Sequence, residues 1–431
     1  MTAPVTTAQM DLAAALATTA SQPVRWLRVA RMLDSRQHRM IGNAHLVYGS
    51  NKILHAGAPP PPGALTAGLD CVELPGFTAL PGLIDGHTHV ALEGAELDAA
   101  RRATYQQQDS ATLLRLAVER MAITARLGVV AVRDGGDKDG VGLALSRITA
   151  AGESPLTRVC SPGPGIHRRG RYGSFFSRPI EDYPDEEACV RDLVAAGADH
   201  IKLVPTGIIN FAAGQVTAAP QFQADEIRLF REAARRWDRH LMAHASGAEG
   251  IGHAIAGGVD TIEHGFFVTA DQLARMRDLG IAWLPTFAPV REQIDHAGVI
   301  GWDDGVVDHL RRILENHAGS LQLALALGVN VLVGSDAGSW GVAHAAGLVR
   351  EMELMQEAGM KPLDLLSQAT FGNNQLLTRH PGLGTLEAGC LARFILTSRA
   401  VEQDVGLLRR PRWVVWDGRA ESTETVPAAG L

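Results

Sequence analysis

Cysteine is scarce in this chain. The four cysteines, Cys71, Cys160, Cys189 and Cys390, lie far apart, and no two of them form a C-x-x-C pair. This spacing argues against a disulfide framework and against a paired-thiolate metal site. We therefore predict reduced, mostly buried thiols, as expected of a cytoplasmic protein.

Long hydrophobic runs and an excess of positive charge are also lacking. No apolar run approaches the length of a membrane span. No basic residue precedes Arg25, so the charged start of a secretory signal is missing. The net charge of −7 argues against nucleic acid or an anionic membrane as the main partner. We expect a small-molecule substrate, a cytoplasmic location and a homo-oligomer, with no nucleic-acid or membrane partner.

The length of 431 residues exceeds the usual size of a single hydrophobic core, so one large domain and a smaller one are expected. Short β-like pieces occupy both ends of the chain. We predict that residues 1–75 and 381–431 together form a small β-sandwich domain. Within it, residues 1–20 are expected to be a loose tail, with at most a short helical piece from Asp11 to Leu16.

Residues 76–380 alternate between apolar runs and helical patterns. Counting the run before His87, eight runs read as strands, which is the number in a (β/α)8 TIM barrel. In such barrels the chemistry lies at the C-terminal ends of the strands. The seven runs after the first are residues 129–134, 158–160, 200–204, 240–244, 260–264, 281–285 and 329–333.

The helical patterns between these runs have the 3.6-residue period of helices with one buried face. In one of them, Ile227, Phe230, Ala234 and Trp237 are predicted to face inward. Glycines precede most of the strands and are expected to close the helices before them. These glycines are Gly128, Gly197, Gly258, Gly280 and Gly328.

The stretch Ile84–Val90 contains two histidines with one residue between them, directly after an apolar run. Side chains of a strand alternate faces, so His87 and His89 point the same way. Two converging imidazoles can share one metal ion, and neutral imidazole suits zinc and its neighbours. Alone, this pair has a plain alternative, which is two ordinary loop histidines.

Metal-capable side chains also end later strands. They are Lys202, His244, His264 and Asp336. Each has a structural alternative: a histidine satisfied within the core, a snorkelling lysine, or an aspartate that caps the next helix. Because these side chains and the histidine pair would all lie at the same end of one barrel, a metal centre is the better interpretation.

The chain here resembles the amidohydrolase superfamily, over a span from Leu27 to about Gly418. The two most specific pieces are similar to the branch with Xaa-Pro dipeptidases, lysine/arginine carboxypeptidases and ochratoxin-type amide hydrolases. These pieces are Gly-Ala-Asp-x-Ile-Lys, ending at Lys202, and Asp-Thr-Ile-Glu-His-Gly, ending at Gly265. The stretches that carry the resemblance are 81–89, 197–202, 243–244, 260–265, 285–286 and 334–336.

The resemblance implies two divalent metal ions, normally Zn²⁺, and a lysine carboxylated by carbon dioxide. A carbamate is an anionic oxygen ligand, whereas a free ammonium repels cations. The implied ligands are His87, His89 and Asp336 for the first metal, His244 and His264 for the second, and Lys202 as the bridge.

The activity implied by the resemblance is hydrolysis of an amide C–N bond, peptide-like or in an N-acyl amino acid, by a metal-bridged hydroxide. Asp336 would pass a proton to the leaving nitrogen. Hydrolysis of a lactone or a carbamate ester is the alternative, and a non-catalytic barrel scaffold is a third. Ser246 stands where many peptidase-like relatives place a tyrosine, which argues against a dipeptide substrate.

A basic and aromatic stretch follows the third strand, from His167 to Arg178. It is either a solvated loop or a segment that overhangs the metals. In the second case His167 is a further catalytic residue that polarises the substrate carbonyl, and Arg171 pairs with a substrate carboxylate. The other candidates for lining the substrate pocket are Tyr172, Trp340 and His344.

Overall fold

The fold is seen in a computed structural model, which describes residues 7–19, 21–151, 155–377 and 382–426. The predicted domain boundary at residues 380 and 381 lies outside these ranges, as do residues 1–6 of the predicted tail.

Strands from both ends of the chain form one seven-stranded sheet. They are β1 (Arg25–Asp34), β2 (Arg39–Tyr48), β3 (Ile53–Gly57), β4 (Cys71–Pro81), β14 (Arg393–Ser398), β15 (Trp413–Trp416) and β16 (Arg419–Ser422). Their order is β16-β15-β14-β4-β1-β2-β3, with β1 parallel to β4 and the other pairs antiparallel. The sheet extends past the predicted boundary at residue 75, because β4 runs on to Pro81. Closure of this sheet into a sandwich stays a prediction.

Helix α1 (Thr7–Leu16) lies against this sheet, where the sequence predicted a loose tail or a short helical piece. Leu16 is fully buried in the apolar cluster of the sheet, and its carbonyl accepts a hydrogen bond from the Tyr48 hydroxyl. Burying one large aliphatic side chain stabilises by roughly 1.5–3 kcal/mol, which helps to hold a helix that is too short to be stable alone.

The strands between these two ends are all parallel to their neighbours. One sheet has the order β5-β6-β7, and the other has the order β13-β12-β11-β10-β8-β9. The strands are β5 (Leu83–Thr88), β6 (Val129–Asp134), β7 (Arg158–Cys160), β8 (Gly165–His167), β9 (Ser177–Pro179), β10 (Ile201–Leu203), β11 (Leu241–Ala245), β12 (Thr261–His264) and β13 (Ala282–Leu284).

Residues 329–333, the predicted eighth strand, bridge these two sheets. The backbone N–H of Trp283 donates to the carbonyl of Asn330 at 2.9 Å. On the other side, the N–H of Gly86 donates to the carbonyl of Val333 at 3.0 Å. The segment therefore has backbone partners in both β13 and β5, although only isolated bridges are formed there.

Helices cover the parallel strands and bury apolar faces against them. Helix α4 (Ser110–Arg126) buries Leu113, Ala117 and Met121 of the inward face that the 3.6-residue period predicts, whereas Leu114 of the same predicted face is half-buried. Several predicted glycines end their helices with positive φ, 103° at Gly197 and 78° at Gly328, a conformation that favours glycine. The helices after α1 are α2 (Gly63–Thr66), α3 (Ala99–Gln106), α4 (Ser110–Arg126), α5 (Val141–Ala151), α6 (Glu186–Ala196), α7 (Ala224–Arg236), α8 (Ala248–Gly257), α9 (Ala270–Leu279), α10 (Ala288–Asp295), α11 (Ala297–Ile300), α12 (Asp304–Leu327), α13 (Ala346–Glu357) and α14 (Pro362–Ser367).

Two expectations from composition can be compared with this fold. The four cysteines are free thiols; Cys160 and Cys189 are buried, whereas Cys71 and Cys390 are half-buried. In the described ranges, no helix combines the length and the apolar character that crossing a membrane requires.

Candidate active site

Six polar side chains from different strands meet at the carboxyl ends of the parallel strands. All six are buried, and Lys202 is only 1 % exposed. Their positions follow from the topology, because parallel strands bring their carboxyl ends to one edge. They are His87 and His89 at the end of β5, Lys202 in β10, His244 in β11, His264 at the end of β12, and Asp336 beyond the 329–333 segment.

His87, His89 and Asp336 form one compact group. Oδ1 of Asp336 lies 3.5 Å from Nε2 of His87 and 3.6 Å from Nε2 of His89. One ligand atom from each residue lies within 4.8 Å of the other two, which is the spacing that a single metal ion needs. The structure therefore brings together the three residues predicted for the first metal.

His244 and His264 form a second group beside the first. Their ring centroids are 4.5 Å apart, and the ring of His264 lies 5.2 Å from that of His87. Burial lowers the pKa of all four imidazoles, and the positive charge of Lys202 lowers each pKa further. Lys202 is therefore close to both groups. The pKa values of His89 and His244 are lowered to about 3, so both rings are neutral at neutral pH, the form that binds metals.

The far sides of three imidazoles, those of His87, His89 and His264, are held by the protein. Nδ1 of His87 lies 2.7 Å from Oε2 of Glu263, and Nδ1 of His264 lies 2.7 Å from the Thr286 hydroxyl. Nδ1 of His89 is 3.3 Å from the carbonyl of Gly136. A proton held on Nδ1 leaves the lone pair on Nε2, which is the arrangement found in histidines that bind metals.

Several ligand-capable atoms face inward without a protein partner. Among the described residues, Nε2 of His87, Nε2 of His244, Nζ of Lys202 and Oδ1 of Asp336 are buried and have no hydrogen bond. Buried polar atoms are rarely left unpaired, because each costs about 1–3 kcal/mol. Four such atoms in one place fit a site that is completed by bound cations.

Burial also shifts the pKa values of Lys202 and Asp336. It lowers the pKa of Lys202 to about 8 and raises the pKa of Asp336 to about 7, with a hydrogen bond from the Ser339 side chain acting in the opposite direction on the aspartate. Both groups therefore lose part of their charge near neutral pH when only the protein surrounds them.

Behind His87 lies a buried ion pair that the sequence analysis missed. Glu263 and Arg133 are both fully buried, with Nη1 of Arg133 3.2 Å from Oε1 of Glu263. Thr261 accepts hydrogen bonds from Arg133 at 3.1 Å and donates to Glu263. The second carboxylate oxygen of Glu263 is thereby directed at His87, and the glutamate is available to fix that ring.

The backbone is strained where three strand ends deliver their side chains. The φ angles are 66° at His264, 52° at Thr286 and 57° at Asp336, in the left-handed region that such residues rarely adopt. Such strain costs about 1–3 kcal/mol at each residue and is typical of functional sites. Gly135 also matters, because a Cβ atom there would lie 2.6 Å from the ring of His89.

The residues predicted to act on the substrate differ in what they contact. The ring of Tyr172 lies 5.4 Å from that of His244, so it borders the metal ligands. Arg171 is exposed and donates to the carbonyl of Ala219. His167 is buried at the end of β8, with Nδ1 2.9 Å from the Ser177 hydroxyl.

The two remaining candidates are anchored to the chain that follows β5. Nε1 of Trp340 donates to the carbonyl of Leu97 at 3.0 Å, and Nε2 of His344 lies 3.1 Å from the carbonyl of Leu92. Burial lowers the pKa of His344 to about 3. The substrate roles of Arg171, Tyr172, Trp340 and His344, and the catalytic role of His167, stay predictions.

Phe176 and Thr286 were also missed by the sequence analysis. The ring of Phe176 packs edge-on against His89, with centroids 5.1 Å apart. Phe176 lay inside the stretch that was predicted to overhang the metals, and Thr286 inside one of the quoted stretches, so both could have been proposed from position.

The chain resembles known proteins over most of its length. A sequence profile of the Amidohydrolase family matches residues 78–419. An uncharacterised protein of Mycobacterium tuberculosis is 28% identical over 357 residues, or 82% of this chain and 87% of that one. The ochratoxinase of Aspergillus niger is 27% identical over 270 residues, which are 58% of this chain and 53% of the enzyme.

Solved structures show the same similarity in three dimensions. A Xaa-Pro dipeptidase with methionine bound in its active site has a TM-score of 0.78 and 25% identity, covering 93% of this chain and 100% of that one. The A. niger ochratoxinase structure has a TM-score of 0.75 at 19% identity and shares the fold over 93% of this chain and 95% of its own. Together with the profile match over most of the chain, these similarities show that this protein is a hydrolase of the amidohydrolase family.

Proposed function

We propose that this protein is a binuclear metal-dependent hydrolase that cleaves an amide C–N bond. The observation that carries the proposal is the convergence of four neutral imidazoles on one lysine and one aspartate, all buried at the carboxyl ends of parallel strands. Hydrolysis of a lactone or a carbamate ester needs the same attack on a carbonyl and is the alternative outcome of the test below.

The proposed architecture is a closed (β/α)8 barrel at residues 76–380, with a β-sandwich formed by residues 1–75 and 381–431. The hydrogen bonds from Trp283 to Asn330 and from Gly86 to Val333 support closure, since they carry the sheet from β13 through residues 329–333 to β5. A closed barrel would also explain why ligands from the first and last strands are neighbours.

The proposed metal ligands divide into two sets, and Lys202 would belong to both. His87, His89 and Asp336 would hold one ion, and His244 and His264 the other. This nitrogen-rich set with anionic oxygen suits zinc. When bound, the two ions would supply an activated water and polarise the scissile carbonyl.

Lys202 is proposed to bridge the two ions as a carbamate. Its Nζ is buried without a hydrogen-bond partner, and its charge lowers the pKa of all four imidazoles. The ammonium would lose one proton, and the neutral amine nitrogen would then bond to the carbon of carbon dioxide and release a second proton. The loss of two protons converts a cation into an anion with two oxygen ligands. This change would remove the repulsion between the lysine and the metal ions.

Asp336 is proposed to move the proton during hydrolysis. A water oxygen bonds to the carbonyl carbon, the C–N bond breaks, and the leaving nitrogen gains one proton. The Oδ1 atom of Asp336 lies between the two histidines of the first group and has no hydrogen bond of its own, so it is free to accept a proton from water and deliver it.

A hydrolysis screen tests this function directly. The zinc-loaded protein is incubated with N-acyl amino acids, dipeptides, lactones and carbamate esters, before and after treatment with a chelator. We expect cleavage of at least one amide, loss of the activity with chelator and its return with Zn²⁺. Activity on lactones or carbamates alone would favour the alternative, and chelator-resistant activity would contradict the metal role.

A further inference from the structure

We propose that the substrate is electrically neutral and carries an apolar group that binds an aromatic surface formed by Tyr172, Phe175 and Phe176 and flanked by Ile208. This inference rests on the proposed function and names the class of substrate for the same site. It differs from the carboxylate clamp predicted for Arg171.

The aromatic surface begins at the predicted metal ligands. The ring of Phe176 lies 5.1 Å from that of His89, and the ring of Tyr172 lies 5.4 Å from that of His244. Because these histidines belong to the two different ligand groups, the two rings border both predicted metal positions.

From there the surface continues out to solvent. Phe175 contacts both other rings, with centroid distances of 4.8 Å to Phe176 and 5.8 Å to Tyr172. Phe176 is buried, whereas Phe175 is 40 % exposed. The three rings thus form an apolar path from the candidate ligands to the surface, where Phe175 at its outer end is partly exposed.

The loop that follows Lys202 passes beside Tyr172 and carries an exposed apolar residue. A Cβ atom at Gly207 would be 3.8 Å from Cβ of Tyr172, so this loop runs against the tyrosine. The next residue, Ile208, is 48 % exposed. An exposed isoleucine and an exposed phenylalanine near a catalytic centre are typical of a substrate surface, since such sites are mostly apolar with few polar contacts.

The four arginines of the same loop already have partners within the protein. A substrate carboxylate would have to compete with these contacts or remain unpaired, which is costly in a desolvated site. The partners are Glu181 and Glu226 for Arg168, Asp182 for Arg169, the Ala219 carbonyl for Arg171 and the Lys138 carbonyl for Arg178.

Three hydroxamic acids test this inference without requiring turnover. Benzohydroxamate, 4-carboxybenzohydroxamate and acetohydroxamate share one metal-chelating group and differ only in the group placed beside it. Their binding to the zinc-loaded full-length protein is measured by calorimetry. We expect benzohydroxamate to bind about tenfold tighter than either of the others, the usual worth of a well-placed apolar group.

Substitutions test whether the preference for benzohydroxamate depends on the aromatic surface. Phe175→Ser and Ile208→Ser should each reduce the advantage of benzohydroxamate, whereas Ile148→Ser should keep it. Ile148 is a matched control because it is 41 % exposed but lies on α5, on the helical layer. Equal binding of the three compounds, tighter binding of the carboxylated one, binding of none, or an advantage that survives both substitutions would overturn the inference.

Amide hydrolysis by the same zinc-loaded preparation separates this inference from the proposed function. Cleavage of amides without a preference for the phenyl group would overturn the neutral apolar substrate and leave the proposed function standing. A clear preference without cleavage of any amide would support the apolar surface and contradict the proposed function.

Discussion

At the scale of single residues, buried carboxylates lie one contact behind the predicted metal ligands. Glu263 contacts His87 directly at 2.7 Å. Asp85 accepts hydrogen bonds from the backbone N–H of His87 and of Ser335, so it holds the chain next to Asp336. Such outer contacts fix the orientation of the ligands and tune their basicity.

Glu263→Gln should weaken binding of one of the two metals. The amide keeps the shape of the side chain but loses the charge that favours a proton on Nδ1 of His87, and such contacts are worth about 10–100-fold in metal affinity. Competition with a chromophoric chelator measures both dissociation constants. Glu119→Gln is the control, because Glu119 is exposed on α4 and pairs with Arg115 of the same helix.

Loss of fold must be separated from loss of positioning in this variant. Glu263→Gln leaves the Arg133 guanidinium buried without its counter-charge, which costs roughly 3–5 kcal/mol of stability. The double variant Arg133→Leu/Glu263→Gln removes that charge and should regain part of the Tm without regaining the metal affinity. Unchanged affinity in Glu263→Gln, or full recovery in the double variant, would contradict the positioning role.

Asp336→Asn should separate metal binding from proton transfer. Asparagine keeps one oxygen toward the first metal but cannot carry a proton at neutral pH. We expect retention of most of the metal and a loss of about 10²–10⁴ in kcat. Asp278→Asn, on the exposed surface, should retain full activity.

The dependence of the hydrolysis rate on pH tests the same role of Asp336. The aspartate must be ionised to accept a proton, and burial raises its pKa to about 7 in the metal-free protein, while bound cations would lower it. The wild-type rate should therefore rise with pH on the acidic side of its profile, and the midpoint of this rise should lie at or below that pKa. A normal rate with an unchanged limb in Asp336→Asn would assign the proton to another group, with His167 and His344 the next candidates.

At the scale of elements, the ends of β12 and β13 act together. Strand β12 ends in a left-handed residue, His264, and a second left-handed residue, Thr286, lies two positions after the end of β13. Their side chains meet at 2.7 Å. Glu351 on α13 then accepts the backbone N–H groups of Phe287 and Ala288, directly after Thr286. The strand ends are thus held from behind by a helix of the outer layer.

Thr286→Val should affect the second metal and leave the first unchanged. Valine has the same shape but cannot hydrogen-bond to Nδ1 of His264, so we expect about tenfold weaker binding of one ion. Together with Glu263→Gln, this variant assigns each dissociation constant to one ligand group. Equal weakening of both metals would contradict independent support.

Thr269→Val is the matched control for this substitution. Thr269 caps α9 through its side chain, so its loss should cost about 1 kcal/mol of stability. Its hydrogen bond is made to Gln272 rather than to a metal ligand, so both metal affinities should stay at the wild-type values.

The candidate ligands are easier to propose from the sequence than the groups that support them. His244 ends the apolar run at residues 240–244, and a polar residue at the end of such a run is visible without a partner. Glu263 lies inside a run, and its contact with His87 joins residues 176 positions apart, which no local pattern reveals. Trp237 was predicted to face inward but is 43 % exposed, because α7 ends at Arg236 and the helical period no longer applies.

At the scale of the whole molecule, the two ends of the chain share one apolar cluster. Phe394 in β14 is fully buried and packs edge-on against Tyr48 in β2, with ring centroids 5.1 Å apart. Strand β14 also pairs with β4, which leads directly into β5 and the histidine pair. We therefore expect that a loss of stability in the terminal sheet would also disturb β5 and the histidine pair at its end.

Phe394→Ala should destabilise the protein by about 3–5 kcal/mol, the usual cost of removing a buried phenylalanine. Thermal unfolding followed by circular dichroism measures the change. Phe175→Ala is the control for size, because Phe175 is partly exposed and its loss leaves no cavity in the core. An unchanged Tm in Phe394→Ala would mean that the terminal sheet unfolds apart from the rest.

The metal content of the purified protein tests the central claim most directly. Elemental analysis of active, unchelated enzyme should find close to two divalent metals per chain, because six ligands are too many for one tetrahedral ion. Lys202→Ala should lose metal and activity together, and a small carboxylic acid should partly restore both by replacing the bridge. At most one metal in active enzyme, or full metal content and rate in Lys202→Ala, would contradict the two-metal centre.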